Sequence, residues 1–103
     1  GLLENSVKMG AIIRDGFRQA LSGVAGFREF RGMGLMMGIE LDRPCGDIVR
    51  MALDADIFVN VTQENVIRLL PPLIINEAEA NEIVKRLVPV IRAFLAQPQQ
   101  AAA

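Results

Sequence analysis

Histidine, tryptophan and tyrosine are absent from this 103-residue chain, and cysteine occurs once, as Cys45. Without imidazole, His-based triads, His-ligated zinc and His acid–base chemistry are excluded within these residues. A single thiol excludes an internal disulfide and a Cys-rich metal cluster, so no metal site is expected. Charge of one sign is also lacking: 11 basic and 12 acidic residues leave a net charge of −1. With no basic stripe and few stacking rings, nucleic acid is not an expected partner. No uncharged apolar run approaches the roughly 20 residues of a membrane span, so no membrane partner is expected. Glu4 and Lys8 interrupt any signal-peptide core, and a reducing cytoplasmic setting is the simpler expectation. An initiating Met is missing and the chain opens in helix-like sequence, so it reads as a piece of something longer.

Apolar side chains are abundant. They make up 51% of the chain before its nine glycines are counted, whereas a typical soluble domain reaches about 45–50% with glycine included. Either the core is unusually greasy, or part of this surface belongs against a missing neighbour.

The length suits one domain. Leu3, Val7, Gly10, Ile13, Phe17 and Leu21 recur at three- and four-residue steps and predict a helix over 2–21. Ser22-Gly23 ends it, with a glycine able to take a left-handed cap. Gly10 on the apolar stripe points to close contact with another element. Phe27 to Arg31 and Leu35 to Leu41 read as strands around Gly32-Met33-Gly34, a tight hairpin or a bulge. Leu35, Met37, Ile39 and Leu41 make the core face of the second strand. A short helix follows Asp42-Arg43-Pro44 over 45–54, with Ile48, Val49, Ala52 and Leu53 as its buried stripe. Ile57 to Val61 and Val66 to Leu70 form a second hairpin around a four-residue turn, 62–65. Asn76 with Glu79 signals the start of the last helix. Ala80, Ile83, Val84, Leu87, Ile91 and Phe94 form its stripe, and Pro89 should kink it. The expected fold is α+β: a mostly antiparallel sheet of three to four strands covered by about three helices. Residues 96–103 are expected to be a disordered tail.

Arg68 is the most informative residue. All its neighbours in Val66-Ile67-Arg68-Leu69-Leu70-Pro71-Pro72-Leu73 are apolar. A guanidinium does not lose its proton, so a buried one needs an anion or several acceptors, and its fork matches a carboxylate. The alternatives are an edge-strand arginine in solvent, or one paired with an acid of this chain. The remaining candidates read as structural. Gly32-Met33-Gly34 precedes a strand, where a phosphate loop requires a helix N-terminus. Cys45 has no base beside it in sequence. Glu40 and Asp42 share a strand face without a second acid pair, and Met33, Met36 and Met37 suit core or interface filling. Lys8 and Lys85, the only lysines, lie on polar helix faces and lack the burial that makes an amine nucleophilic.

Glu4-Asn5-Ser6, Met9-Gly10, Arg31-Gly32-Met33-Gly34-Leu35-Met36-Met37-Gly38-Ile39-Glu40-Leu41, Asn60-Val61-Thr62 and the run from Val66 to Ile75 together resemble the C-terminal domain of class III aminotransferases. The resemblance covers about residues 1–95. From Arg31 to Ile75 it is strongest to the bacterial acetylornithine aminotransferases, with the ornithine and succinylornithine enzymes next. It implies a small domain of a fold-type I homodimer that uses pyridoxal phosphate. The large domain, with the cofactor, its lysine and its aspartate, would lie N-terminal to this segment. Arg68, matched within Ile-Arg-Leu-Leu-Pro-Pro, would bind a substrate carboxylate of glutamate or 2-oxoglutarate. In related enzymes a large-domain glutamate pairs with that arginine when the other substrate is bound. The missing neighbour for the apolar surplus would then be the large domain. The implied reaction moves an amino group between N2-acetylornithine and 2-oxoglutarate in arginine synthesis, and this chain alone should be inactive, with no catalytic or cofactor-binding residue of its own. Two rival readings remain: a free-standing α+β module that binds a small ligand and regulates an enzyme, and a plain dimerisation domain.

Overall fold

The computed structural model describes residues 1–33, 36–71 and 75–98. Among these residues seven elements follow one another: α1 (Leu2–Leu21), β1 (Phe27–Met33), β2 (Met36–Leu41), α2 (Asp47–Asp54), β3 (Asn60–Thr62), β4 (Val66–Leu69) and α3 (Glu77–Ala96). The fold is α+β, with a four-stranded sheet in the order β1-β2-β4-β3 and every adjacent pair antiparallel.

Period-two alternation decides which face of the sheet is covered. Phe30, Met37, Ile39, Leu41, Ile67 and Leu69 are buried, while Arg31, Met36 and Arg68 are exposed. The helices therefore cover one face. α1 packs on α3 and β1, and α2 packs on α3 and β3.

α1 has the bounds its pattern predicts, and Gly23 leaves it with φ +82°. The N-terminal part of its stripe differs from expectation. Leu3 and Val7 are 79% and 59% exposed and Ser6 and Met9 are buried in their place, while Gly10 is buried as expected. Ser6 enters the interior because its hydroxyl donates to the Leu3 carbonyl at 2.9 Å, a local bond that an apolar pattern does not register. The tight crossing with α3 falls at Gly16, where a Cβ would stand 3.0 Å from both Val84 methyl groups.

α2 starts at Asp47, two residues later than expected. Its stripe keeps Ile48 and Ala52 buried but leaves Leu53 52% exposed. β3 is displaced further: only Asn60–Thr62 pair, and Ile57, Phe58 and Val59 are irregular. Val59 alone of those three is buried. α3 begins at the expected capping box, with the Asn76 side chain accepting from Glu79 N–H at 2.8 Å and Glu79 accepting from Asn76 N–H at 3.0 Å. Pro89 does not end it. Both Pro89 and Lys85, whose carbonyl loses its helical partner, occupy exposed positions. Ala96 is still helical, and 99–103 of the expected tail lie outside the described residues. So do Gly34 and Leu35 of the first hairpin turn. Among the described residues no helix is long and apolar enough to cross a membrane.

Candidate functional site

The register lays one row of residues across the exposed face of the sheet. Arg31 on β1 faces Gly38 on β2, Gly38 faces Arg68 on β4, and Arg68 faces Asn60 on β3. The next row runs from Glu40 through Val66 to Thr62. Side chains of one row lie about 5 Å apart at their Cβ atoms in an antiparallel pair.

This placement depends on the β3–β4 turn. A four-residue turn would set Asn60 against Ile67. The observed turn has three residues, 63–65, and sets Asn60 against Arg68. It does so with two non-glycine residues in the left-handed region, Gln63 at φ 52° and Glu64 at φ 68°. Such conformations cost of order 1 kcal/mol or more each and persist where neighbours hold them. Here Cys45 N–H donates to the Glu64 carbonyl at 2.8 Å, Leu41 N–H to the Asn65 carbonyl at 2.9 Å, and Asn65 Nδ2 to the Leu41 carbonyl at 3.0 Å.

Beside this hairpin lies a cavity of about 650 Å³. Arg68, Asn60 and Thr62 are its polar walls, and Ile57, Phe58, Leu70, Pro71 and Ile83 contribute apolar surface. Phe58 and Leu70 are 77% and 68% exposed. Arg68 is itself exposed, and it makes no ion pair or hydrogen bond with any described residue. On its β2 side it faces Gly38, which has no side chain. A Cβ there would meet Val66 Cγ1 at 3.2 Å. A cation that binds carboxylates as a planar fork is thus left open in a largely apolar hollow. Arg50 and Arg92 are also without a described partner, but they stand on exposed helix positions and line neither this cavity nor the shallower one beside Glu64.

The other candidates are occupied or closed. Glu40 pairs with Arg31 and, at 3.8 Å, with Arg28. Asp42 accepts from Arg43 at 2.6 Å, and that guanidinium holds its carboxyl below the usual range despite some opposing desolvation. Arg43 also donates to the Leu95 carbonyl at 3.3 Å, so the pair ties the end of β2 to the end of α3. Burial pushes the Cys45 thiol up to about 11, so it stays protonated and packs. Lys8 and Lys85 are exposed on α1 and α3. Among the described residues no group of three or more His, Cys, Asp or Glu is placed to hold a metal ion. Asn60 and Gly38 are the site residues that sequence reasoning passed over. The signal for Asn60 was its distance from the turn, which a one-residue error in turn length erased.

Residues 1–91 match the family described as aminotransferase class-III. The chain is 52% identical over 99 residues to acetylornithine aminotransferase 1 of Bordetella bronchiseptica (strain ATCC BAA-588 / NCTC 13252 / RB50), a match that covers 96% of this chain and 25% of that protein. It therefore spans about a quarter of the length of the relatives it matches. Among solved structures, it superposes on ornithine delta-aminotransferase of Plasmodium falciparum with a TM-score of 0.87 at 26% identity, covering 94% of this chain and 26% of that one. For N-acetylornithine aminotransferase of Stenotrophomonas maltophilia K279a the TM-score is 0.81 at 31% identity, covering 92% and 27%. A family match across nearly all of the chain, relatives above 30% identity and the same α+β layer in solved structures lead to one assignment: this chain belongs to the class-III aminotransferases.

Proposed function

We propose that residues 1–95 form the small C-terminal domain of an acetylornithine aminotransferase, in which Arg68 binds a carboxylate of glutamate or 2-oxoglutarate. The observation that carries this reading is the guanidinium of Arg68 itself, unpaired among the described residues, flanked by Gly38 and opening on a cavity with apolar walls. The parent would exchange an amino group between N2-acetylornithine and 2-oxoglutarate, a step of arginine synthesis. The acetylornithine branch is favoured over the ornithine one by the 52% identity to a relative of that name. A homodimer and a cytoplasmic setting rest on the family resemblance alone.

Pyridoxal phosphate, the cofactor of the family, supplies the electron sink for amino transfer when bound. The residues of this chain do not fit it. The cofactor requires an amine in the site, and Lys8 and Lys85 both stand on exposed helix positions outside the cavity. The cofactor site is therefore assigned to the remaining three quarters of the protein, and the task of this chain is to bind, orient and cover. The exposed apolar side chains Phe58 and Leu70 at the rim support a role in covering the site.

Two experiments test this. The purified 103-residue chain given pyridoxal phosphate, glutamate and an oxo acid is expected to show no transamination above the protein-free rate and to retain no cofactor absorbance after gel filtration, and either signal overturns the division of labour. In the full-length enzyme, Arg68→Ala is expected to weaken the 2-oxoglutarate half-reaction far more than the acetylornithine one. Equal loss in both halves removes the assigned role.

A further inference from the structure

We infer that Asn60 is a second substrate-contacting donor, its side-chain amide taking a carboxylate oxygen lone pair that the Arg68 fork leaves open. The inference rests on the carboxylate reading of Arg68 given above. Asn60 is the direct cross-strand partner of Arg68, and both line the same cavity. Its own oxygen is engaged: Oδ1 accepts from Val61 N–H at 2.9 Å, a bond that satisfies a backbone donor on the edge strand β3. That bond fixes the amide plane and leaves Nδ2 as the free end, with no hydrogen-bond partner among the described residues. An ionised carboxylate offers about four lone-pair sites, of which an arginine fork takes two. A neutral N–H donor beside the guanidinium serves a third without adding charge, and it separates a carboxylate from a smaller anion by geometry. Thr62, in the next row of the same wall, is too far along the strand to share the pair that Arg68 and Asn60 make.

Asn60→Asp in the full-length enzyme separates the donor from the fold. The new carboxylate still accepts from Val61 N–H, so the backbone bond survives, while the free donor becomes a charged acceptor beside Arg68. The KM for 2-oxoglutarate is expected to rise about tenfold or more, the loss typical of a hydrogen bond to a charged group. kcat is expected to hold within about threefold, the pattern of lost ground-state binding, and the thermal midpoint is expected not to move. Asn60→Ala, which removes the donor without adding charge, is expected to raise the same KM by a smaller factor and decides the inference, because an acid at position 60 competes for Arg68 whether or not Asn60 touches substrate. A wild-type KM in a folded Asn60→Ala enzyme overturns the inference, even if Asn60→Asp raises it. So does a loss that follows the thermal midpoint and falls equally on kcat. If Arg68→Ala still impairs the oxo-acid half-reaction while the Asn60 variants do not, only the second donor is wrong. If neither position matters, the carboxylate reading itself has failed.

Discussion

The two halves of the exposed sheet face treat arginine in opposite ways. On the β1–β2 half, Arg31 contacts both Glu29 and Glu40, and Arg28 stands 3.8 Å from Glu40. The Glu40 side chain is only 17% exposed, so these cations are neutralised within the chain. On the β4–β3 half, Arg68 has Gly38 on one side and Asn60 on the other, and forms no ion pair with a described residue. Arg31 and Arg68 both follow a buried apolar residue on their strand, Phe30 and Ile67. Both face Gly38 across the strand, and Glu40 lies one row from each; Arg31, with Glu29 two residues before it on its own strand, is the one that pairs with Glu40.

Breaking the contrast at its stronger end is expected to give the largest effect. Arg68→Ala in the full-length enzyme should cost about 2–5 kcal/mol in kcat/KM for 2-oxoglutarate, the usual loss when one member of a close charged pair is truncated. Steady-state kinetics of the two half-reactions measure it, and Arg68→Lys should recover only part, because an ammonium lacks the fork.

The next test loosens the β3–β4 half from beneath. The Cys45 thiol titrates near 11 when folded against a reference value of 9.0. Folding therefore favours the protonated thiol. The associated stability is complete below about pH 9 and is lost as pH rises towards 11, up to about 2–3 kcal/mol. Urea unfolding between pH 8 and pH 11 should show this decline, and Cys45→Ala should flatten it. Because Cys45 N–H holds the Glu64 carbonyl, hydrogen exchange in the β3–β4 turn should accelerate before exchange in β1.

A smaller change transplants the first half's solution onto the second. Gly38→Glu places an acid directly across from Arg68 on one side and Arg31 on the other, and the KM for 2-oxoglutarate should rise about tenfold as an internal carboxylate competes for the Arg68 guanidinium. Gly38→Ala is the control for crowding against Val66. If Gly38→Glu leaves the KM unchanged, the open flank is not part of the site. Least affected should be Arg31→Ala. Its side chain is 56% exposed, and surface pairs are worth about 0–1 kcal/mol. Chemical denaturation should register at most that loss, with the oxo-acid KM unaltered.

Much of the architecture was legible before any coordinates. α1 keeps its predicted ends because its three- and four-residue spacing is long and its stop is a glycine at φ +82°. α3 starts where Asn76 and Glu79 say it should, since a capping box is a local bond that needs no other element. Alternation of Met37, Ile39 and Leu41 assigned the buried face of β2 correctly. Harder to read were Leu3 and Val7, apolar residues on an exposed flank, and Ser6, a polar residue that meets its own hydrogen-bonding need and sinks. Strand β3 was misplaced because Ile57, Phe58 and Val59 have strand-forming side chains but lie beyond the paired register.

By itself the sequence determined the class of the fold, its element order, its family and the presence of one arginine set among apolar neighbours. Those follow from periodicity, caps and motif, all of which act over a few residues. Only the tertiary structure decided that Arg68 stays unpaired while Arg31 does not, and that Asn60 is the residue facing it. That outcome depends on a one-residue difference in turn length. The turn is stabilised in a left-handed conformation by hydrogen bonds from Cys45 and Leu41, more than 15 positions earlier in the chain. Pairing between strands is a long-range property, and a shift of one residue sends every side chain to the opposite face.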